Sequence, residues 1–223
     1  MQHRRVGELM TTAVVRVRRD TGFKDIAVRL AEHDVTAVPV VDDQEHPIGV
    51  VSEADLLRKQ QRQLDPGGHL AGAHLPPAES AKAHALTAEG LMTSPAVTAR
   101  PDWSVVEAAR TMDRHHVKRL PVVDDADRLV GIVSRADLLR VFLRRDLTIC
   151  EEITAEVLTR TLGLDPASVT VRVTGGRATL SGIVPHSSLI PVAVRLCESV
   201  DGVIDVTNHL NYAVDDTGST PRP

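Results

Sequence analysis

GVVSEADLL, from Gly49 to Leu57, returns as GIVSRADLL, from Gly131 to Leu139. Working outward from that pair, an offset of 82 aligns Leu9 to Leu57 with Leu91 to Leu139 without a gap, and 21 of the 49 positions are identical. The shared landmarks keep their order: LMT (Leu9 to Thr11; Leu91 to Thr93), then PVVDD (Pro39 to Asp43; Pro121 to Asp125), then the quoted segment. Two copies of one supersecondary unit imply a pseudo-twofold pair that buries a shared face.

Each copy reads as β-α-β-β-α. A short strand at Val14 to Val17, with Val97 near its second version, precedes a helix. The second helix starts at Ser104, with Glu107 three residues on as in a capping box. Val105, Ala108, Ala109 and Met112 recur at helical spacing as its expected buried stripe. An apolar strand (Ala37 to Val41; Leu120 to Val123) ends at an Asp-Asp turn, whose carboxylates suit a reversal. A second strand (Ile48 to Val51; Val130 to Val133) returns, and Ser52 or Ser134 opens the last helix.

The boundaries expected are repeat 1 at 6–63, a flexible linker at 64–87 and repeat 2 at 88–145. The linker is rich in Pro, Gly, Ala and His and lacks periodicity. Its His69, His74 and His84 match no metal-ligand spacing, so no metal site is expected. After Arg144 and Arg145 the pattern changes to α-β-β-α-β over 148–214. The elements are a helix at Ile149 to Leu162, a turn at Asp165, alternating Val169, Val171 and Val173, then Gly175-Gly176 and alternating Ala178, Leu180 and Gly182. The Gly-Gly pair marks a hairpin. A helix from Ser188 to Val200 and a strand from Val203 to Tyr212 follow, and 215–223 reads as a disordered tail. The expected fold class is mixed, α+β/α/β.

Composition narrows the function. The chain of 223 residues has 42% hydrophobic and 25% charged residues but only 2% aromatics, so its cores must be built from Val, Leu, Ala and Ile. A net charge of -4, with no basic stretch interleaved with aromatics, argues against nucleic acid as a partner. Cys150 and Cys197 stand apart from each other and form neither a disulfide framework nor a zinc pattern. No run of about 18 apolar residues and no signal-peptide core is present, so a cytoplasmic protein is expected and a membrane partner is not.

The doubled pattern resembles the CBS domain family, whose tandem pairs are called Bateman modules, over roughly Val6 to Arg144. That resemblance implies two clefts between the repeats that bind an adenosine nucleotide such as AMP, ADP, ATP or S-adenosylmethionine as a regulatory ligand. It also implies a homodimer. By the same resemblance Ser52, Asp55, Ser134 and Asp137 reach the ribose, Lys118 and Arg119 the phosphate, and Val38, Pro39, Leu120 and Pro121 the base.

The chemistry is sound on its own terms. An ionised carboxylate accepts from both hydroxyls of a cis-diol, and such charged hydrogen bonds contribute about 1.5–3 kcal/mol. A second reading stays open beside it, because Ser-x-x-Asp at a helix start also caps the helix. Lys118 and Arg119 occupy the places of Thr36 and Ala37, so the two clefts are expected to be unequal; the alternative is a solvated edge. His115 and His116 suit a helix end or turn better than ligation.

VTVRVTGGRATLSGIV and VDGVIDVTNHL resemble the BON domain, a family associated with phospholipid or other surface binding. The reading that follows is a non-catalytic sensor with no enzyme activity, since no nucleophile elbow, glycine-rich phosphate loop or metal cluster remains unassigned. The alternatives are a protein-interaction scaffold without nucleotide binding and BON-mediated surface attachment.

Overall fold

A computed structural model describes residues 4–60 and 85–217. The chain divides into two compact units, one spanning Arg5–Asp137 and one running from Leu138 onward. His69, His74, His84 and most of the expected linker lie outside the described residues. The linker's last residues do not: Leu86 accepts the Phe23 amide and Thr87 bridges Gly22, so 85–87 belong to the packed repeat pair.

The first unit opens with α1 (Val6–Leu9), followed by β1 (Val17–Arg18), α2 (Phe23–Glu32), β2 (Ala37–Val41), β3 (Pro47–Ser52) and α3 (Glu53–Gln60). The second repeat supplies α4 (Ala88–Leu91), α5 (Val105–Arg114), β4 (Arg119–Val123), β5 (Leu129–Ser134) and α6 (Arg135–Leu139). β1 runs parallel to β2, and each of the pairs β2–β3 and β4–β5 is an antiparallel hairpin. The expected first strand is shorter than Val14 to Val17. In repeat 2 it shrinks to one bridge, Ala99 to Val122. The short helices α1 and α4 have too few residues to show a period and were not expected from the sequence.

Local chemistry explains the turns. Asp42 Oδ1 accepts the amides of Gln44 and His46, and Asp124 Oδ1 those of Ala126 and Arg128, at 2.8 to 2.9 Å. These backbone donors, His46 for Asp42 and Arg128 for Asp124, hold both carboxyls below the usual carboxylate range. The capping box is present: Ser104 Oγ accepts from the Glu107 amide, and the Glu107 carboxylate accepts from the Ser104 amide. Val105, Ala108 and Met112 are buried, but Ala109 is exposed, because it falls one step round the helix from that stripe.

The two repeats exchange their opening segments. Val6 and Gly7 donate to the carbonyls of Trp103 and Pro101, while Ala88 and Glu89 donate to those of Thr21 and Arg19. Thr11 pairs with Ile132 of β5, and Thr93 pairs with Val50 of β3. A β-carbon added at Gly131 would overlap the sulfur of Met10, and one at Gly49 the sulfur of Met92. Repeat 1's core of Val17, Ile26, Leu30, Val38, Val40 and Val51 is therefore completed by Ala88 and Leu91, both fully buried.

The second unit continues through a 3-10 turn (Arg140–Leu143) into α7 (Asp146–Glu152), which runs on as a π-helix (Ile153–Thr161). β6 (Val169–Thr174), β7 (Arg177–His186), α8 (Leu189–Glu198) and β8 (Asp205–Val214) follow. β6 and β7 are antiparallel, and β7 and β8 parallel, with α8 as the crossover. Gly175 and Gly176 form the two-residue hairpin turn with φ of 57° and 75°, the double left-handed geometry that glycine accepts without strain. Their amides donate to the Asp146 carboxylate at 2.7 and 2.9 Å, which explains why the helix starts three residues before Ile149.

The core joins Ile149, Ile153, Val157, Leu158, Leu180 and Val184 to Ala193 and Cys197. Burial pushes the Cys197 thiol up to about 12. The start of the expected tail is ordered. Ser187 Oγ donates to Asp215, and the amide and hydroxyl of Ser188 donate to Asp216 at 2.9 and 2.6 Å. Among the described residues, no helix is long and apolar enough to cross a membrane.

Leu91→Ala removes a fully buried side chain from the repeat 1 core and is expected to cost about 2–5 kcal/mol. A urea midpoint unchanged from wild type would refute the exchanged packing. The hydrogen bonds from Ser188 hold the Asp216 carboxyl down to about 2, below its ordinary 3.8. The tail tie is thus complete above about pH 4 and is lost as pH falls through about 2. The Ser188 amide resonance should titrate with that low midpoint, and a midpoint near 4 would contradict the contact.

Candidate functional site

Ser134 is the last residue of β5 and Asp137 sits in the first turn of α6. Asp137 Oδ2 accepts from the Ser134 amide at 2.9 Å and its hydroxyl at 2.7 Å, while the Asp137 amide donates to Ser134 Oγ at 3.3 Å. The same lock forms in repeat 1, where Asp55 Oδ2 accepts from the amide and hydroxyl of Ser52 at 3.0 and 2.6 Å. Arg58 adds an ion pair to Asp55 Oδ1 at 2.8 Å. The Ser134 hydroxyl thus caps α6, and in both copies the carboxylate holds the amide of the preceding serine. Their exposure differs: Asp55 is 5% exposed, whereas Asp137 is only partly buried.

A cavity of about 390 Å3 gathers Ser134, Asp137, Lys118 and Arg119 from repeat 2 opposite Val14 and Thr36 from repeat 1. Its second wall exists because Thr11 is bonded to Ile132 in both directions, at 2.9 and 3.0 Å, which lays the segment before β1 over β5. Val14, Val15, Val35 and Ile132 provide an apolar surface, and the carboxylate and cations provide the polar one. A volume in this range, apolar with a few convergent polar groups, suits a small organic ligand.

Arg119 spans the two repeats. Its guanidinium donates to Thr36 Oγ1 and, at 3.4 Å, to the Ala37 carbonyl. Desolvation lowers its pKa, and the carboxylates of Glu53 and Asp137 oppose that shift. Lys118 is exposed at the cavity wall. His115 caps the end of α5, and His116 follows in the left-handed conformation with φ of 53°, as Asp34 does at the matching place in repeat 1.

Ser52 and Asp55 do not line this cavity. Neither do Val38, Pro39, Leu120 and Pro121, all four of which are buried in the hairpins β2–β3 and β4–β5. The apolar wall comes instead from Val14, Val15, Val35 and Ile132. Sequence reasoning missed them because only the pairing of Thr11 with Ile132 brings those segments together. The repeated LMT landmark was the available signal. Among the described residues, no three His, Cys, Asp or Glu side chains are arranged to hold a metal ion.

Comparison with known proteins agrees with this architecture. The chain matches the CBS domain at residues 6–62 and 88–144, and the BON domain at residues 145–214. An uncharacterized protein of Methanopyrus kandleri is 29% identical over 136 residues, 61% of each chain. A protein of Methanococcoides burtonii named homoserine O-acetyltransferase is 30% identical over 141 residues, 63% of this chain and 25% of the relative. The chain thus spans less than two thirds of the length of these relatives. Among solved structures, CBSX2 in complex with AMP aligns with a TM-score of 0.53 and 29% identity, covering 62% of this chain and 96% of that one. A CBS domain pair solved with 5'-methylthioadenosine and S-adenosyl-L-methionine shares the fold at a TM-score of 0.50 and 24% identity, covering 62% and 98%. The exchanged, duplicated β-α-β-β-α unit and the separate α-β-β-α-β unit place this chain in the CBS domain family, as a tandem CBS pair followed by a BON domain.

Proposed function

We propose that the cleft between the repeats binds an adenosine nucleotide and that the pair is a regulatory module rather than a catalyst. One observation carries this reading: a single cavity brings together a serine-anchored carboxylate, Asp137, and two cations, Lys118 and Arg119, across from Val14, Val15 and Val35 of the other repeat. The carboxylate suits a ribose diol, the apolar wall a purine and the cations a phosphate. The likeness to CBSX2, solved with AMP, supports the same ligand class.

Signalling follows from the construction of the walls. Because they belong to different repeats, a ligand that touches both favours one packing of the pair over another, and differential affinity is what shifts such an equilibrium. Arg119 is the group most directly affected, since a phosphate would compete with Thr36 for its guanidinium.

Calorimetry of wild type, Asp137→Asn and Lys118→Ala with AMP, ADP, ATP and S-adenosylmethionine tests the reading. Asparagine keeps an acceptor for Ser134 but loses the charge, so every adenosine ligand should weaken by roughly tenfold or more while the fold survives. Lys118→Ala should weaken AMP and spare S-adenosylmethionine. An adenosine ligand at about 100 times its dissociation constant should add about 2.7 kcal/mol of apparent stability, and no gain with any of the four would overturn the proposal. Separately, a double-mutant cycle between Arg119→Ala and Thr36→Val should give a coupling of about 0.5–3 kcal/mol in the ligand-free protein. Additive effects would remove Arg119 as the link between repeats.

A further inference from the structure

A second cavity in the repeat pair, of about 700 Å3, has a different chemistry. Arg16, Arg18, Arg29 and His33 line it, and Glu45 is the one carboxylate in its wall. Two of the arginines converge on that carboxylate: Arg16 Nε lies 2.6 Å from Oε2, and Arg18 lies 2.5 Å from Oε1. Arg29, in the last turn of α2, and His33, the residue that caps its end, are both exposed, and their side chains have no hydrogen-bond or ion-pair partner among the described residues. Three fixed positive charges thus face one negative charge.

The internal duplication separates scaffold from surplus. Arg18 recurs as Arg100, and Glu45 as Asp127, with the same bonding: Arg100 donates to the Asp124 carbonyl and pairs with Asp127 at 2.7 Å, as Arg18 does with the Asp42 carbonyl and Glu45. That pair is part of the turn architecture of either repeat and is self-neutralising. Arg16 and Arg29 are not shared, since their counterparts are Thr98 and Thr111. The excess charge therefore comes from two arginines that repeat 1 alone carries, both directed at one cavity.

We infer that this cavity is a binding site for a polyphosphate-bearing small molecule, distinct from the adenosine cleft. Guanidinium groups engage phosphate through paired, charge-assisted hydrogen bonds, and several of them around one concavity select a multiply charged anion over a monovalent one. The two cavities share Ala13, Val14 and Val15, so occupancy of either acts on the segment that also walls the other. A free polyphosphate and the phosphate tail of a nucleotide have the same chemistry here.

The test is calorimetry with inorganic tripolyphosphate at low and physiological salt, on wild type, Arg16→Ala, Arg29→Ala and Lys118→Ala, with AMP titrated into the same preparations. The expected result is binding that weakens with added salt, falls roughly tenfold or more in Arg16→Ala and Arg29→Ala, and is unchanged in Lys118→Ala. AMP affinity should be unaltered in Arg29→Ala. Displacement of tripolyphosphate by ATP but not by AMP would identify the anion as a nucleotide tail, and displacement by neither would identify a separate small polyphosphate; both support the site. No binding by wild type overturns it. So does binding lost in Lys118→Ala but retained in Arg29→Ala, which would send the anion to the adenosine cleft. Failure of AMP to bind, with tripolyphosphate still bound, would strike the adenosine reading and leave this one standing.

Discussion

The repeats hold each other through their first dozen residues. Each LMT segment leaves its own copy, pairs with a strand of the other, and seats a methionine on a glycine, Met10 on Gly131 and Met92 on Gly49. A side chain at either glycine would occupy the space the sulfur takes. The helix that precedes each segment is likewise bonded to carbonyls of the other repeat. Neither copy has a complete core alone, so the pair is the smallest unit that can bury its apolar surface. The cleft is a by-product of the exchange, because its second wall is the segment just downstream of Met10.

The Ser-x-x-Asp motif holds its own carboxylate by local hydrogen bonds. The Ser134 amide and hydroxyl both donate to one oxygen of Asp137, which fixes the carboxylate in one orientation. Arg119 shows the limit of the internal symmetry. It touches Ala37, the residue that matches it in the other copy, and so lies near the pseudo-twofold axis. Two guanidiniums meeting there would repel in a partly desolvated site, whereas one arginine opposite an alanine is tolerated, with Glu53 and Asp137 offsetting its burial.

The second unit depends on short-range polar ties around a Val- and Leu-rich core. Asp146 spans both amides of the Gly-Gly turn and joins the start of α7 to the first hairpin. Ser187 and Ser188 do the same for the chain end through Asp215 and Asp216. Low aromatic content is compatible with this design, since branched aliphatic side chains fill a thin sheet-and-helix layer without large rings.

What could be read from the amino-acid order is what is encoded within a few residues. The Ser104–Glu107 cap, the Asp turns and the Gly175–Gly176 hairpin each concern groups one to four positions apart, where residue type and backbone geometry are directly linked, and the duplication shows as a direct self-match at an offset of 82. The Ser-x-x-Asp pairs were legible for the same reason. Tertiary structure decided the rest. In an internally duplicated chain, a strand such as β5 has two nearly identical candidate partners, Thr11 and Thr93, and local pattern cannot choose between them; closure of the whole core does. That choice determined which residues wall the cleft, while the packing of β1 against α2 within repeat 1 placed Arg16 and Arg29 at one cavity. It also showed the start of the tail to be ordered, since Asp216 meets Ser188 only after β8 has paired with β7.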